Sequence, residues 1–119
     1  MGNILVADDD KTYRDSIQKV LEKEGYTVQA AADVDSALNE VDRHSFDLIV
    51  CDYRMPGKTG IDLLVELQKR HSRVPVLMIS AYTDATIQAA AIALGASDML
   101  PKPLRRRELI DLAARFVGG

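Results

Sequence analysis

Reactive side chains follow four short apolar segments of this sequence. The segment 4–7 is followed by Asp8 and Asp9, 48–51 by Asp52, and 76–79 by Ser80, while 99–100 leads to Lys102 and Pro103. If each segment is a strand of one parallel sheet, these groups emerge at its carboxyl edge, where open α/β sheets bind ligands. Three carboxylates, a hydroxyl and an ammonium gathered there would form a site for a metal ion and a phosphate group.

The chemistry that suits this set is phosphoryl transfer to a carboxylate. Clustered carboxylates repel one another and favour a cation, and Mg²⁺ prefers hard oxygen ligands together with phosphate oxygens and water. A carboxylate can act as a nucleophile and form an aspartyl phosphate, a reaction that needs mainly positioning and charge neutralisation. We therefore expect Mg²⁺ to bridge Asp52 and the phosphoryl group, while Lys102 neutralises a second oxygen and Ser80 donates a hydrogen bond to a third.

Composition limits the other classes of function. A length of 119 residues predicts a single domain over residues 1–119, with no output domain in this chain. The net charge of −3 gives no electrostatic footprint for nucleic acid, and no apolar stretch approaches the roughly 20 residues of a membrane span. Cys51 is the only cysteine and no signal peptide pattern is present, so we expect a cytoplasmic protein without a membrane or nucleic-acid partner of its own.

Apolar spacing predicts five units of a strand followed by a helix. Asp10, Asp33 and Thr59 are predicted helix N-caps, and Gly25 and Gly95 are predicted to end helices. The helical stripes are Tyr13, Ile17, Val20 and Leu21; Val34, Ala37, Leu38 and Val41; Ile61, Leu64 and Val65; Ile87, Ala90, Ala91 and Leu94; and Leu109, Leu112, Ala113 and Phe116.

Five such units with short connections indicate a doubly wound (βα)5 fold, a flavodoxin-like arrangement of three layers. The common order of its parallel five-stranded sheet is 2-1-3-4-5, with the ligand crevice between the first and third strands. That order would bring Asp8 and Asp9 beside Asp52, with Ser80 next to it and Lys102 beyond.

Four motifs resemble the receiver domain of bacterial two-component response regulators across nearly the whole chain. They are LVADDD at residues 5–10, DYRMPG at 52–57 with Gly60, ISA at 79–81, and GASD at 95–98 leading to Lys102 and Pro103. Each motif is weak alone, but together, in this order and at these spacings, they are highly specific. The resemblance implies a phosphorylation-dependent signalling switch, not an enzyme with an external substrate.

The resemblance also assigns roles to single residues. It implies that Asp52 is the phosphoacceptor for a histidine kinase or phosphotransfer protein. It implies that Asp9, Asp52 and the backbone carbonyl of Arg54 ligate Mg²⁺, with Asp8 acting mostly through water. Such a domain assists only its own phosphorylation and dephosphorylation, and its peptide bond before Pro103 is usually cis.

The resemblance also implies that a face formed by the fourth helix, fifth strand and fifth helix contacts a downstream output domain or protein, and that phosphorylation can produce a homodimer. One position departs from the family. Met99 stands where Tyr or Phe is usual, three residues before the lysine, and it has no ring to swing between two positions. We therefore expect graded coupling to the read-out face, with Tyr82 as the nearest aromatic that could take over part of this role.

Three other functions remain as alternatives. A phosphohydrolase of the haloacid dehalogenase type needs a second acid two residues after its nucleophile; Arg54 follows Asp52 there, although Asp10 does follow Asp8. A flavodoxin-like cofactor binder needs glycines and hydroxyls after the first strand, and three aspartates would repel its phosphate. A binding-only receiver that never uses its phosphosite is the third alternative, and Met99 keeps it open.

Several polar residues have plainer interpretations. Cys51 is expected to be a buried apolar filler, and His44 and His71 to be solvated. The positive charges of residues 105–107 oppose the dipole at the start of the last helix. This basic run is either a solvated turn whose charge is offset by Glu108, or a surface for an acidic partner or a dimer mate.

Overall fold

The computed structural model describes residues 2–81 and 84–117. Within these ranges the elements are β1 (Asn3–Ala7), α1 (Lys11–Lys23), β2 (Thr27–Ala31), α2 (Val34–Arg43), β3 (Leu48–Asp52), α3 (Gly60–Lys69), β4 (Val76–Ser80), α4 (Ala85–Ala93), β5 (Asp98–Pro101) and α5 (Arg106–Val117). The paired strands are parallel and the sheet order is β2-β1-β3-β4-β5. The expected doubly wound class and strand order are therefore confirmed.

Helices cover both faces of the sheet because its strands carry apolar side chains on both sides. Along β1, Leu5 and Ala7 belong to one core cluster, while Ile4 and Val6 belong to the other. The first cluster is completed by α2, α3 and α4, and the second by α1 and α5. β3 and β4 are buried along their full length, which explains why they are continuous apolar runs in the sequence.

Three of the strand-to-helix turns are held by the expected caps. The carboxylate of Asp10 accepts a hydrogen bond from the Tyr13 N–H at 3.1 Å. Asp33 caps α2 in the same way, and at α3 the Asp62 carboxylate accepts the Thr59 N–H at 2.8 Å. These contacts satisfy N–H groups that the first helical turn leaves unpaired, so each helix starts at a defined point near the sheet edge.

Two helices present different faces from those expected. In α3 the buried leucines are Leu63, Leu64 and Leu67, whereas Ile61 and Val65 are only half-buried. The segment is apolar on several sides, so its spacing alone did not select the face that meets the sheet. In α4 the buried residue is Ala91, and Ala90 of the expected stripe is exposed.

None of the helices in the described ranges combines the length and apolar character that a membrane span requires.

Candidate functional site

The sheet aligns the ends of its central strands so that the expected site residues meet. Asp52 lies beside Ile79 across β3 and β4, and Ser80 lies beside Pro101 across β4 and β5. Backbone hydrogen bonds continue this pairing beyond the strand ends. The Asp8 N–H donates to the Ala31 carbonyl at 3.0 Å, and the Lys102 N–H donates to the Ser80 carbonyl at 2.8 Å. The chain direction therefore brings every residue of the expected constellation to one edge.

Three carboxylates form a compact cluster at this edge. Asp8, Asp9 and Asp52 each offer a carboxylate oxygen, and these oxygens lie within 4.8 Å of one another. Asp8 is fully buried and Asp52 is 6% exposed, whereas Asp9 faces solvent. Two carboxylates of the cluster are buried and the third is open to water, and all three are hard oxygen donors. This donor set fits a small divalent cation such as Mg²⁺, which retains part of its water shell.

Lys102 supplies positive charge to the same cluster. Its Nζ donates a hydrogen bond to Asp52 Oδ2 at 3.1 Å. The same nitrogen lies 2.9 Å from Asp8 Oδ2, which is ion-pair distance, but within the described ranges that buried oxygen has no partner at hydrogen-bonding angles. This contact supports the assignment of Asp8 to the metal-binding edge.

The electrostatics of the cluster depend on burial and on these contacts. Burial raises the pKa of Asp52 from its ordinary 3.8 to about 6; the hydrogen bond from Lys102 opposes the rise, and the charge of Asp8 adds to it. For Lys102, burial alone would lower the pKa, but contacts with the carboxylates of Asp8 and Asp52 outweigh it, and the net direction is upward. Lys102 is therefore a fixed positive charge at neutral pH, while Asp52 is poised near its ionisation.

The loop after β3 keeps Arg54 close to the cluster. The Arg54 N–H donates to the Asp52 carboxylate, and Arg54 forms an isolated antiparallel bridge with Thr59. The loop closes where the Gly60 N–H donates to the Tyr53 carbonyl at 2.7 Å. The expected metal-ligand role of the Arg54 carbonyl stays a prediction, but this residue is anchored next to the acids that would share the ion.

Two residues in α1 also lie at this edge. The spacing of Tyr13 indicated only a helix face, and no role was predicted for Arg14. The Tyr13 hydroxyl accepts a hydrogen bond from the Leu104 N–H at 3.0 Å, and the Lys102 Nζ lies 4.6 Å from the centroid of the Tyr13 ring. Arg14 Nη1 donates to the backbone carbonyl of Asp8 at 2.7 Å. Burial raises the pKa of Tyr13, so its phenol is neutral at physiological pH. The one sequence signal for Tyr13 was a hydroxyl within an otherwise apolar stripe.

The cysteine, the two histidines and the basic run singled out in the sequence lie outside the carboxylate cluster. Cys51 is buried, and burial raises the pKa of its thiol, so it is an unreactive filler. His44 and His71 are exposed. Residues 105–107 are exposed as well; Arg105 and Arg107 border a surface cavity of about 730 Å³ that Lys102 also lines. Tyr82 lies outside the described residues.

The cap at α1 weakens the phosphohydrolase alternative. That function would need Asp10 as the acid that serves a nucleophilic Asp8, but the Asp10 carboxylate accepts the Tyr13 N–H as the helix cap. The Asp8 side chain is fully buried beneath this cap. The cofactor-binding alternative is weakened by the carboxylate cluster itself, because it would repel a phosphate group that arrives without a metal ion.

Comparisons with known proteins agree on one family. The family model described as the response regulator receiver domain matches residues 4–114. The transcriptional regulatory protein CpxR of Escherichia coli (strain K12) is 40% identical over 110 residues, which cover 92% of this chain and 47% of that protein. The chain thus spans about half the length of this relative.

Solved structures give the same result for the fold. The receiver domain of the Francisella response regulator 1452 superposes with a TM-score of 0.93 at 32% identity, covering 99% of this chain and 98% of that one. The CheY-like response regulator receiver domain protein from Methanospirillum hungatei JF-1 gives a TM-score of 0.94 at 27% identity, covering 99% of this chain and 94% of that one.

Proposed function

This chain belongs to the family of response regulator receiver domains, and from that premise we propose that it is a signalling switch operated by phosphorylation of Asp52. The observation that carries the proposal is the contact of one ammonium with two buried carboxylates. Lys102 Nζ lies 2.9 Å from Asp8 and 3.1 Å from Asp52, at the edge where Asp9 completes the acidic cluster. A folding core gains little from such a buried charge cluster, whereas phosphoryl transfer needs one.

The reaction follows from the positions of the side chains. An Asp52 carboxylate oxygen attacks the phosphorus of a phosphohistidine on a histidine kinase or phosphotransfer protein. The oxygen–phosphorus bond forms as the phosphorus–nitrogen bond breaks, and the released imidazole takes up a proton. Lys102 exchanges its contact with Asp52 for one phosphoryl oxygen, and the Ser80 hydroxyl donates to another.

The metal-binding part of the proposal uses the acids that the fold clusters. Asp8, Asp9, Asp52 and the backbone carbonyl of Arg54 would hold Mg²⁺, and the bound ion would offset the negative charge of the phosphoryl oxygens. Burial raises the pKa of Asp52 to about 6, and a bound cation would lower it again by favouring the ionised carboxylate that acts as the acceptor.

The output part of the proposal concerns a face formed by α4, β5 and α5. Ser80 ends β4 directly before the segment that leads to α4, and Lys102 follows β5 in the loop that leads to α5. Phosphorylation would draw Ser80 toward the phosphoryl group and shift the Lys102 ammonium from the Asp52 carboxylate to a phosphoryl oxygen, and so move the starts of these helices. The segment 85–93 of α4 carries no charged residue, and Ile92 on it is 46% exposed, which suits contact with an output domain, a downstream protein or a second copy.

A cytoplasmic location, suited to the unpaired Cys51, is part of the same proposal.

Mass spectrometry tests the acceptor assignment. The full chain, incubated with Mg²⁺ and acetyl phosphate, should gain the mass of one phosphoryl group, and Asp52→Asn should not gain it. Asp111→Asn is the control, since it neutralises an exposed acid on α5 outside the cluster. Equal labelling of Asp52→Asn would refute the assignment, and labelling that persists in Asp52→Asn but is lost in Asp8→Asn would favour the phosphohydrolase alternative.

A further inference from the structure

Tyr13 joins α1 to the loop after β5 at two points. Its hydroxyl accepts the Leu104 N–H at 3.0 Å, across a sequence separation of 91 residues. Its ring lies beneath the ammonium of Lys102, with 4.6 Å between Nζ and the ring centroid. One side chain thus contacts both the backbone of the loop and the cationic group that the loop carries.

The Lys102 side chain is held at its tip by Asp8 and Asp52, and the Tyr13 ring adds a third contact. Lys102 has a flexible four-carbon stem, and ordering that stem costs rotamer entropy. The loop between β5 and α5 is held at its start by the hydrogen bond from the Lys102 N–H to the Ser80 carbonyl. The Tyr13 hydroxyl provides a second anchor two residues later, at Leu104. The ring face attracts the ammonium electrostatically, more strongly where water is excluded.

Tyr13 is itself placed by the acidic cluster. The Asp8 carboxylate accepts the Asp10 N–H at 2.9 Å, and the Asp10 carboxylate accepts the Tyr13 N–H at 3.1 Å. A short chain of contacts therefore runs from the acids through the start of α1 to the ring, and returns to the acids through Lys102. The Asp8 side chain therefore contacts both the start of the helix that carries the ring and the ammonium that lies over the ring.

We infer that Tyr13 is a positioning residue that holds the Lys102 ammonium against Asp8 and Asp52 and orders the loop that carries it. The inference rests on the proposed function, because it assigns Tyr13 a role in the transfer of a phosphoryl group to Asp52. Tyr13 does not touch the reacting atoms; it acts through Lys102. Removing the ring leaves Lys102 chemically intact but spreads its ammonium over several rotamers.

Phosphorylation rates of matched variants test this role. Tyr13→Phe keeps the ring face and loses the hydroxyl, whereas Tyr13→Leu loses both. Tyr26→Phe and Tyr26→Leu are controls, since Tyr26 is a half-buried tyrosine packed against the same core cluster. With rates measured on acetyl phosphate and Mg²⁺ and corrected for the folded fraction, Tyr13→Leu should be roughly three- to tenfold slower than wild type. Tyr13→Phe should retain most of the rate, and the Tyr26 variants should match wild type.

The outcomes that overturn the inference are equally specific. A wild-type rate in Tyr13→Leu would show that the ring is dispensable. An equal loss in Tyr26→Leu would show that any loosening of this core slows the reaction. A loss in Tyr13→Phe as large as in Tyr13→Leu would show that the ring face contributes nothing to the placement of Lys102.

An NMR measurement tests the contact without any phosphorylation, and so separates this inference from the proposed function. The ε-methylene of Lys102 is bonded to the Nζ that lies 4.6 Å from the Tyr13 ring centroid, so its protons should resonate upfield of ordinary lysines in wild type and Tyr13→Phe, but not in Tyr13→Leu. If wild type is never phosphorylated yet shows this pattern, the proposed function fails while the positioning contact stands. If Tyr13→Leu leaves the Lys102 resonances unchanged, the positioning role is refuted even when Asp52 is phosphorylated normally.

Discussion

The ammonium nitrogen of Lys102 lies 3.1 Å from Oδ2 of Asp52, across a sequence separation of 50 residues. The contact joins the end of β3 to the loop after β5, with the end of β4 between them. Because Asp8 shares the same ammonium, one cation balances two carboxylates that would otherwise repel each other. The cluster contains three carboxylates and this one ammonium, so the stability of the fold should respond to changes in charge here.

Lys102→Met should destabilise the metal-free protein. The Lys102 side chain is 18% exposed and the side chains of its partners are almost fully buried, so removal of the ammonium leaves two carboxylates facing each other. Because the edge is partly open to water, we expect a loss of about 1–3 kcal/mol in the free energy of unfolding, below that of a fully enclosed pair. Urea unfolding in the presence of a chelator measures it.

The matched control is Lys58→Met. Lys58 pairs with Asp35 at 2.8 Å, but both side chains are largely exposed, so this change should cost less than about 1 kcal/mol. Equal losses of stability in the two variants would mean that solvent screens the Lys102 contacts as strongly as it screens the exposed Lys58–Asp35 pair.

Ionisation of Asp52 should make the stability of the metal-free protein fall as the pH rises. The pKa of Asp52 in the folded state is about 6 against an ordinary 3.8, so between these values the folded state binds more protons than the unfolded state. Its contribution to stability is therefore fully present below about pH 4 and is lost as the pH rises through about 6. Since one pKa unit corresponds to about 1.4 kcal/mol and solvent at the open edge screens part of the effect, we expect a loss of about 1–2 kcal/mol.

Comparison with Asp52→Asn isolates this contribution. Asn cannot ionise, so the variant should gain stability relative to wild type as the pH rises from about 4 to about 7, while other carboxylates cancel in the difference. Urea unfolding across this range, with a chelator present, gives both curves. Parallel curves would contradict the raised pKa of Asp52.

Mg²⁺ should stabilise the fold through Asp9. At a concentration several times the dissociation constant, a weakly bound ion adds about 1 kcal/mol by linkage, which thermal unfolding detects as a rise of a few degrees in Tm. Asp9→Asn should abolish most of this rise, because Asp9 belongs to the carboxylate cluster. Asp10→Asn is the charge-matched control: Asp10 lies outside the cluster, and Asn also serves as a helix cap. A wild-type response to Mg²⁺ in Asp9→Asn would show that the ligand set is wrong.

Gly60→Ala should disturb the loop that carries Arg54. A Cβ at Gly60 would clash with Met78 Sδ, would lie 2.8 Å from Met78 Cε and would lie 3.2 Å from the Asp52 carbonyl oxygen. Met78 is fully buried in β4, so it cannot simply move aside. We expect a loss of about 1–3 kcal/mol in chemical unfolding, despite the better helix propensity of Ala. Met78→Val should relieve part of the loss in the double variant, and a neutral Gly60→Ala would show that the packing here is loose.

Met99 should make the read-out graded. It is 7% exposed, packs in the core cluster with α3 and α4, and lies beside Met78 across the sheet. A flexible thioether can fill space in several rotamers, so beryllofluoride with Mg²⁺ should produce small, distributed chemical-shift changes over residues 84–110. Ser80→Ala should reduce them, whereas Ser97→Ala, an exposed residue before β5, should not. If residues 84–110 stay unchanged while Asp9, Asp52 and Ser80 respond, this face is not the output surface.

Asp52 and Ser80 could be assigned to one edge from the sequence because parallel pairing sets the direction of each strand. A polar residue that directly follows a buried strand of a parallel sheet emerges at its carboxyl edge, whatever the details of packing. The caps at Asp10 and Asp33 could also be predicted from the sequence, because a cap involves only residues within one turn of a helix. The family motifs added the order and spacing of these groups along the chain.

Tyr13 and the buried face of α3 depended on the tertiary structure. The spacing of Tyr13 indicated a core position, but its contact with Leu104, 91 residues later in the chain, exists because α1 packs beside α5. Leu63 was missed for a similar reason, because a segment that is apolar on several sides turns toward whichever neighbour it fits. Periodicity and strand direction are local properties of a chain. The distance between two side chains on separate elements is decided by the volumes packed between those elements, and only the folded structure contains that information.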